Sequence, residues 1–378
     1  MLDLAARLAL RGFGRVEPNP MVGCVIARET AVGPRVLGLG HHRVFGGPHA
    51  EAEALADCRR RGNDPAGATA YVTLEPCAAH GTNPPCTHAL IHAKIARVVY
   101  ARRDPNPAKA GGAAALRAAG IDAMITAESV LATRVADPFI KRIATGLPWV
   151  IAKWAQTMDG RVATRTGESK WISGEFARRR VHVLRSRVDA VLTGIGTVLS
   201  DDPRLTARLD RPPRRVAQRV VADSDLSLPH DSNLAQTARD VPVVLAAERS
   251  MAQNTYRASR RAELDQLGVH ILPVGDHGPG RGLNLREMLT LLARERGVST
   301  VLVEAGPGLL GSLFADDLVD EALVYIAPIL LGDEMAKGVA VGRVADKLSN
   351  ATRFDLVRVK RLGSDIEAWY RRPMLLDG

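Results

Sequence analysis

Apolar and polar residues follow two kinds of pattern in the first part of the chain. Residues 21–27 form a short apolar run after the helix-breaking Pro18 and Pro20, which predicts a buried strand. Residues 50–61 predict a helix that ends at Gly62. Elsewhere the patterns predict helices over residues 2–10, 86–93 and 113–119 and strands over 36–40, 70–74, 96–101 and 122–125. Strands that alternate with helices indicate a layered α/β domain.

The alternation restarts after residues 146–148, which include a glycine and a proline. We therefore predict two domains, 1–146 and 147–378, and the length of 378 residues also favours two. Residues 211–215 consist of arginine and proline and predict an exposed loop. The other elements predicted here are strands over 149–155, 190–193, 241–246, 298–303 and 321–326 and a helix over 174–186. The second domain is therefore also predicted to be α/β.

The composition narrows the class of protein. A hydrophobic fraction of 46% and a charged fraction of 24% exclude disordered, collagen-like and mucin-like chains. No apolar stretch approaches the roughly 20 residues of a membrane span, and the first residues do not resemble a secretion signal. The four cysteines are too few for a disulfide scaffold, so we expect a cytoplasmic protein. All four lie in the first quarter of the chain, which suggests a metal site there: Cys24, Cys58, Cys77 and Cys86.

The net charge of +10 indicates either a generally basic surface or attraction of phosphorylated small molecules. Both predicted domains carry more basic than acidic side chains, and aromatic residues make up only 4% of the chain. A nucleic-acid groove favours clustered basic residues with stacking aromatics. We therefore expect a phosphorylated small molecule as the partner, rather than nucleic acid or a membrane.

The residues of a zinc centre occur in the first domain. His49 and two cysteines, Cys77 and Cys86, match the three protein ligands of a catalytic zinc site, which leaves one position open for water. Glu51 lies two positions after the histidine, where a carboxylate can move a proton from that water to a leaving amine. Two other interpretations stay open. The cysteines can be core residues without a metal, or the zinc can be structural with His80 as a fourth ligand.

The spacing of these residues resembles a known family. The H-x-E…P-C pattern is the signature of zinc deaminases, but here eight residues separate the two cysteines instead of two. Residues 73–86 resemble the deaminase half of the bifunctional riboflavin-biosynthesis deaminase/reductases, as do residues 18–26, 40–42 and 104–107. The resemblance implies a cytidine-deaminase-like three-layer fold, with His49, Cys77 and Cys86 as zinc ligands and Glu51 as the catalytic proton shuttle. Asn19 is expected either to bind the pyrimidinone edge of the substrate or to form a turn between Pro18 and Pro20.

This chain departs from the family pattern between the two cysteines. Ala78 and Ala79 stand where the family commonly has Ser and His, and Thr82 replaces a usual Arg. These differences concern the substrate phosphate contacts more than the metal chemistry.

The second domain has no G-x-G-x-x-G after a strand, so the Rossmann fingerprint is missing. Residues 153–161, 193–203 and 303–312 instead resemble the reductase half of the same family, which has a dihydrofolate-reductase-like α/β fold. The resemblance implies NADPH as cofactor. The positions expected to bind it are Ala155, Trp171, Thr197, Asp201, Ser224, Gly306, Pro307, Gly308, Leu309, Leu310, Gly311 and Ser312. The positions expected to bind substrate are Lys153, Ser169, Arg185, Leu205, Arg208 and Glu304, with the two arginines as phosphate clamps.

The function implied is two successive steps of riboflavin biosynthesis. The first is zinc-dependent hydrolytic deamination of 2,5-diamino-6-ribosylamino-4(3H)-pyrimidinone 5′-phosphate. The second is NADPH reduction of the ribosyl group to ribityl, which yields 5-amino-6-ribitylamino-uracil 5′-phosphate. We also expect a homo-oligomer. The alternatives are a nucleic-acid base deaminase with an appended domain and a non-catalytic zinc-binding module.

Overall fold

The computed structural model describes residues 1–81, 83–277, 282–342 and 345–373, so Thr82 lies outside the described residues. The chain divides into two compact units, with the division between Gly146 and Leu147. Within the described ranges, no helix has both the length and the apolar character that crossing a bilayer requires.

The first unit contains a five-stranded sheet with helices. Its strands are β1 (Gly23–Arg28), β2 (Arg35–His41), β3 (Thr69–Val72), β4 (Arg97–Tyr100) and β5 (Asp122–Ile125). Its helices are α1 (Leu2–Ala9), α2 (Ala50–Arg60), α3 (Cys86–His92), α4 (Gly112–Ala118), α5 (Val130–Arg134) and α6 (Asp137–Thr145). The strand order is β2-β1-β3-β4-β5, with β1 antiparallel to both neighbours and β3, β4 and β5 parallel.

Close packing between β2 and α2 positions the start of this helix. A Cβ on Gly40 would lie 2.1 Å from the carbonyl oxygen of Ala50, so only glycine permits the observed approach. The core between sheet and helices includes Ile26, Ala54 and Leu90, all without exposed surface. The first turn of α2 is therefore held against the sheet at the edge where His49 precedes it.

The second unit contains a nine-stranded sheet. Its strands are β6 (Trp149–Gln156), β7 (Ala190–Gly194), β8 (Gln218–Ala222), β9 (Val243–Glu248), β10 (Val269–Val274), β11 (Thr300–Val303), β12 (Glu321–Ile326), β13 (Asp355–Leu362) and β14 (Asp365–Arg371). Its helices are α7 (Glu175–Arg185), α8 (Ile195–Asp201), α9 (Asn233–Gln236), α10 (Arg249–Gln253), α11 (Ala258–Gln266), α12 (Leu285–Arg296) and α13 (Pro307–Ala315).

The order of these strands is β10-β9-β8-β7-β11-β6-β12-β14-β13. The seven strands from β10 to β12 in this order run parallel, while β14 is antiparallel to both of its neighbours. Buried aliphatic side chains such as Leu192, Val244 and Val303 form the core beside the parallel strands. A parallel sheet of this kind places the ends of many strands along one edge, which is where ligands bind in open α/β sheets.

The α/β prediction is confirmed in both units. The predicted strand over 122–125 coincides with β5, and the predicted helix over 50–61 extends one residue beyond α2. Residues 211–215 lie outside regular elements, and most of them are exposed, as predicted. Strands β8, β10, β13 and β14 were not predicted. Seven of the eight residues of β13 are exposed, so this strand lacks the apolar pattern that marks a buried one.

Candidate active sites

The three predicted zinc ligands meet in the first unit, although they come from separate segments. His49 is the residue before α2, Cys77 follows β3, and Cys86 begins α3. Nδ1 of His49 lies 3.2 Å from Sγ of Cys86 and 3.6 Å from Sγ of Cys77. The ligand atoms of all three residues lie within 4.8 Å of one another. Cys77 and Cys86 are buried.

The 3.6 Å separation fits a tetrahedral zinc ion, and the 3.2 Å separation is slightly shorter than such an ion sets. Zinc bonds of about 2.0–2.3 Å keep neighbouring ligand atoms roughly 3.5–3.8 Å apart. The hydrogen bond between the two thiols lowers the pKa of Cys77 and raises that of Cys86, so Cys77 loses its proton first, whereas a bound metal requires the thiolate on both. The main-chain N–H of Cys86 also donates to Sγ of Cys77, at 3.4 Å. Among the described residues His80 does not join the group, so three ligands are present rather than the four of a structural site.

Glu51 lies beside this group in the first turn of α2. Its side chain is buried, with 3% of its surface exposed, and burial raises its pKa from the ordinary value. A carboxyl group in such an environment takes up and releases a proton more readily near neutral pH than an exposed one. Glu51 is the second residue of α2 because it lies two positions after His49, which immediately precedes the helix.

Asn19 is connected to the metal group through a histidine. Its Nδ2 lies 3.4 Å from Nε2 of His42, and Nδ1 of His42 lies 3.0 Å from the carbonyl oxygen of Pro48. Burial lowers the pKa of His42, so we assign the neutral ring with Nδ1 as donor to Pro48 and Nε2 as acceptor from Asn19. The His42 ring packs edge-on against His49, with ring centroids 5.6 Å apart. His42 was not predicted as a site residue, although residues 40–42 carried part of the family resemblance.

In the second unit the glycine-rich turns converge because the strands before them are parallel neighbours. β8, β7, β11 and β6 lie side by side, and their carboxyl ends share one edge of the sheet. The main-chain N–H of Gly306 donates to Oγ1 of Thr197 at 3.2 Å, which joins the turn after β11 to the first turn of α8. The two turns therefore form one continuous wall.

This wall borders a cleft of about 1460 Å³. The predicted cofactor positions that line it are Ala155, Trp171, Thr197, Asp201, Ser224, Gly306, Pro307, Gly308, Leu309, Leu310 and Ser312. The predicted substrate positions that line it are Lys153, Ser169, Arg185, Leu205, Arg208 and Glu304. Gly311 is not among the lining residues. A Cβ there would lie 1.8 Å from the carbonyl oxygen of Val341, so this glycine allows α13 to pack closely against that segment.

A buried charge cluster lies in this cleft. Nε and Nη2 of Arg185 donate to the two carboxylate oxygens of Glu304, and the Nη2 bond measures 3.0 Å. Nζ of Lys153 lies 3.8 Å from Oε2 of Glu304. Burial alone would raise the pKa of Glu304, but the charges of Arg185 and Lys153 bring it to about 2. Burial lowers the pKa of Lys153. The guanidinium of Arg185 is thus held by the Glu304 carboxylate, and its contact with a substrate phosphate stays a prediction.

Arg208 approaches a histidine that the sequence analysis missed. Its main-chain nitrogen lies 3.3 Å from Nδ1 of His182, and its guanidinium lies 3.4 Å from Nε2. His182 also lines the cleft, and burial lowers its pKa. Nζ of Lys170 pairs with the carboxylate of Asp201, the last residue of α8, at 3.3 Å. Nothing in the sequence pattern distinguished His182 from a solvated helix residue.

The comparisons with known proteins agree with this arrangement. Residues 1–102 match the family model described as the cytidine and deoxycytidylate deaminase zinc-binding region. Residues 148–368, more than half of the chain, match the model of the RibD C-terminal domain. The chain belongs to the RibD family. Family membership makes it a zinc-dependent deaminase joined to an NADPH-dependent reductase, and it favours neither the nucleic-acid deaminase nor the non-catalytic module.

RibD relatives match nearly the whole chain. The riboflavin biosynthesis protein RibD of Escherichia coli is 38% identical over 96% of this chain and 96% of its own length. That of Aquifex aeolicus is 35% identical over 98% of this chain and 97% of its own length. A Thermotoga maritima structure named as a diaminohydroxyphosphoribosylaminopyrimidine deaminase/5-amino-6-(5-phosphoribosylamino)uracil reductase is 32% identical with a TM-score of 0.79. The match covers 98% of this chain and 97% of the Thermotoga maritima chain, so the RibD fold extends through both units.

Proposed function

We propose that this chain catalyses two successive steps of riboflavin biosynthesis, with the deaminase in residues 1–146 and the reductase in residues 147–378. The observation that carries the first half is the group of His49, Cys77 and Cys86 with the buried Glu51 beside it. The cleft at the carboxyl ends of the parallel strands supports the second half. The substrate of the first step is 2,5-diamino-6-ribosylamino-4(3H)-pyrimidinone 5′-phosphate.

In the deaminase, His49, Cys77 and Cys86 hold a zinc ion, which supplies an activated water when bound. Glu51 accepts a proton from the water as its oxygen adds to the amino-bearing carbon of the pyrimidinone. Glu51 then delivers that proton to the amino nitrogen, the C–N bond breaks, and ammonia leaves. The remaining proton of the added hydroxyl moves to the neighbouring ring nitrogen, so the ring keeps a carbonyl oxygen. The raised pKa of Glu51 suits this double role, because the same carboxyl must both take up and release the proton. Asn19, oriented by His42, binds the edge of the pyrimidinone ring.

In the reductase, NADPH supplies a hydride when bound. We place the cofactor along the turns that carry Thr197 and Gly306, because main-chain N–H groups at such turns suit a diphosphate. The acceptor is C1′ of the ribose in its open imine form, and the imine nitrogen gains the accompanying proton. Lys153 hydrogen-bonds the sugar near this carbon, and Glu304 with Arg185 fixes the position of the lysine.

We also propose that the chain forms a homo-oligomer and acts in the cytoplasm. Strand β13 ends the sheet and exposes Leu356, Val357 and Val359 by 56%, 47% and 54%, which suits pairing with a second copy. None of the four cysteines forms a disulfide and all four are buried, as suits a reducing compartment.

The proposed reaction order can be tested with the full-length chain. With the diaminopyrimidinone phosphate and NADPH present, ammonia release should precede NADPH oxidation, and the two should end in equal amounts. Chelation of zinc should stop ammonia release, and it should also stop NADPH oxidation because the reductase then lacks its substrate. Supplying the deaminated intermediate should restore NADPH oxidation in the chelated protein. NADPH oxidation that starts without ammonia release would contradict the proposed order.

A further inference from the structure

A lysine from a separate segment lies against the loop that joins the two cysteine ligands. This loop, residues 78–85, contains no lysine or arginine, and His80 is its one ionisable side chain. Lys109 contacts the loop twice. Its carbonyl oxygen accepts a hydrogen bond from the main-chain N–H of Ala78 at 3.1 Å, and its Nζ donates to the carbonyl oxygen of His80 at 3.0 Å. Since Ala78 follows Cys77 directly, the first contact fixes Lys109 next to the ligand group.

The segment that carries Lys109 is itself held in place by a buried carboxylate. Glu75 is 8% exposed and lies two residues before Cys77. One of its oxygens accepts from the main-chain N–H of Asp104 at 3.3 Å, and the other accepts from that of Ala113 at 2.9 Å. These two contacts fix the segment on either side of Lys109. The main chain at Lys109 is therefore held in a fixed position next to the loop by the contacts of Glu75 and Ala78.

The ammonium group of Lys109 is available for a ligand. Among the described residues, no carboxylate lies within ion-pair distance of it, whereas Arg60 and Arg61 pair with Asp57 in the same unit. An ammonium group has three donors, and the carbonyl of His80 uses one.

We propose that Lys109 binds the phosphate group of the deaminase substrate and so distinguishes the 5′-phosphate from the corresponding nucleoside. This inference rests on the proposed function, which supplies a substrate with a base, a ribose and a phosphate monoester. A base bound at the zinc ligands needs a cation farther out for its phosphate dianion, and loop 78–85 provides none in its own sequence except His80. Lys109 provides that charge with two unused donors.

The test compares two substrates in the wild type and three variants. Ammonia release is measured for the diaminopyrimidinone 5′-phosphate and for its dephosphorylated nucleoside, with the wild type and with Lys109→Met. We expect the variant to lose roughly 10- to 100-fold in kcat/KM on the phosphate, the range for a lost charged hydrogen bond, and to keep its rate on the nucleoside. Lys109→Arg should keep most of the activity on the phosphate. Lys94→Met removes an exposed lysine just beyond the far end of α3 and should change neither rate.

Three results would overturn the inference. Equal losses on both substrates would mean that Lys109 only supports the loop through its contact with His80. Unchanged activity on the phosphate would mean that the phosphate binds elsewhere. A Lys109→Met variant with a reduced zinc content by elemental analysis would mean that the lysine stabilises the metal site. A wild type that releases ammonia from neither substrate would instead refute the proposed function, so the two failures are distinguishable.

Discussion

Replacing Glu304 with glutamine should destabilise the second unit by an amount that follows from its surroundings. Burial alone would raise the pKa of Glu304, yet the charges of Arg185 and Lys153 bring it from 4.5 to about 2. A pKa lowered this far in the folded state corresponds to about 3 kcal/mol of folding free energy at neutral pH. The value agrees with the roughly 3–5 kcal/mol lost when one partner of a buried ion pair is removed. Glu304→Gln should therefore lose about 3 kcal/mol at pH 7.

The sign of the pH dependence follows from the lowered pKa. The carboxylate stabilises the folded chain fully above the ordinary value of 4.5, and this contribution is lost as the pH falls toward about 2. The difference in unfolding free energy between the wild type and Glu304→Gln should accordingly be constant around neutral pH. This difference should become smaller as the pH falls below 4.5, the ordinary pKa of a glutamate side chain.

Tryptophan fluorescence during guanidinium titration measures this difference selectively. All four tryptophans lie in the second unit: Trp149, Trp154, Trp171 and Trp369. Glu175→Gln, at an exposed position in the first turn of α7, is the matched control and should stay within about 0.5 kcal/mol of the wild type. The double variant Arg185→Met/Glu304→Met should be less destabilised than Glu304→Gln, because it removes the unpaired guanidinium as well. A Glu304→Gln variant as stable as the wild type at pH 7 would refute the reasoning.

Three further predictions concern the two candidate sites. Glu51→Gln should keep its zinc by elemental analysis but lose at least about 100-fold in the rate of ammonia release, and an unchanged rate would exclude the proton-shuttle role. Cys77→Ser should lose zinc because the thiolate is a ligand, and full metal content in this variant would contradict that assignment. NADPH should slow proteolysis of the second unit, by roughly 100-fold at 100 times its dissociation constant, when cleavage requires global unfolding. The same protection with Gly306→Asp would place the cofactor outside the proposed turns.

Local sequence patterns were sufficient to predict the residues of the first site, because each of these residues belongs to a recognisable motif or lies next to a predicted element. The spacing between His49 and Glu51 is a property of one helix start, and the helix that follows was predicted within a residue of its observed end. The distance between Cys77 and Cys86 depends on a loop, but both cysteines stand next to predicted elements. His42 was missed because its role depends on a contact with Asn19, 23 residues earlier in the chain, and no local pattern encodes such a contact.

The second site shows the limit of the same reasoning. The sequence indicated which turns follow strands, and the parallel order of β8, β7, β11 and β6 brings those turns to one edge. The engagement of Arg185 with Glu304 was not predictable, because it joins residues 119 positions apart. The role of Arg185 as a phosphate clamp stays a prediction, and in this structure its guanidinium makes a bidentate contact with Glu304. The family resemblance placed Gly311 among the cofactor positions; the structure shows its close packing against Val341, and its contact with the cofactor stays a prediction.

Mass spectrometry of the products tests the central claim most directly. The full-length chain is incubated with 2,5-diamino-6-ribosylamino-4(3H)-pyrimidinone 5′-phosphate, once without and once with NADPH. Without NADPH, we predict a product in which one amino group has been replaced by oxygen and the ribosyl group is intact. With NADPH, we predict the same deaminated ring carrying a ribityl group. A reduced product that still holds both ring amino groups, or no change in mass under either condition, would contradict the account.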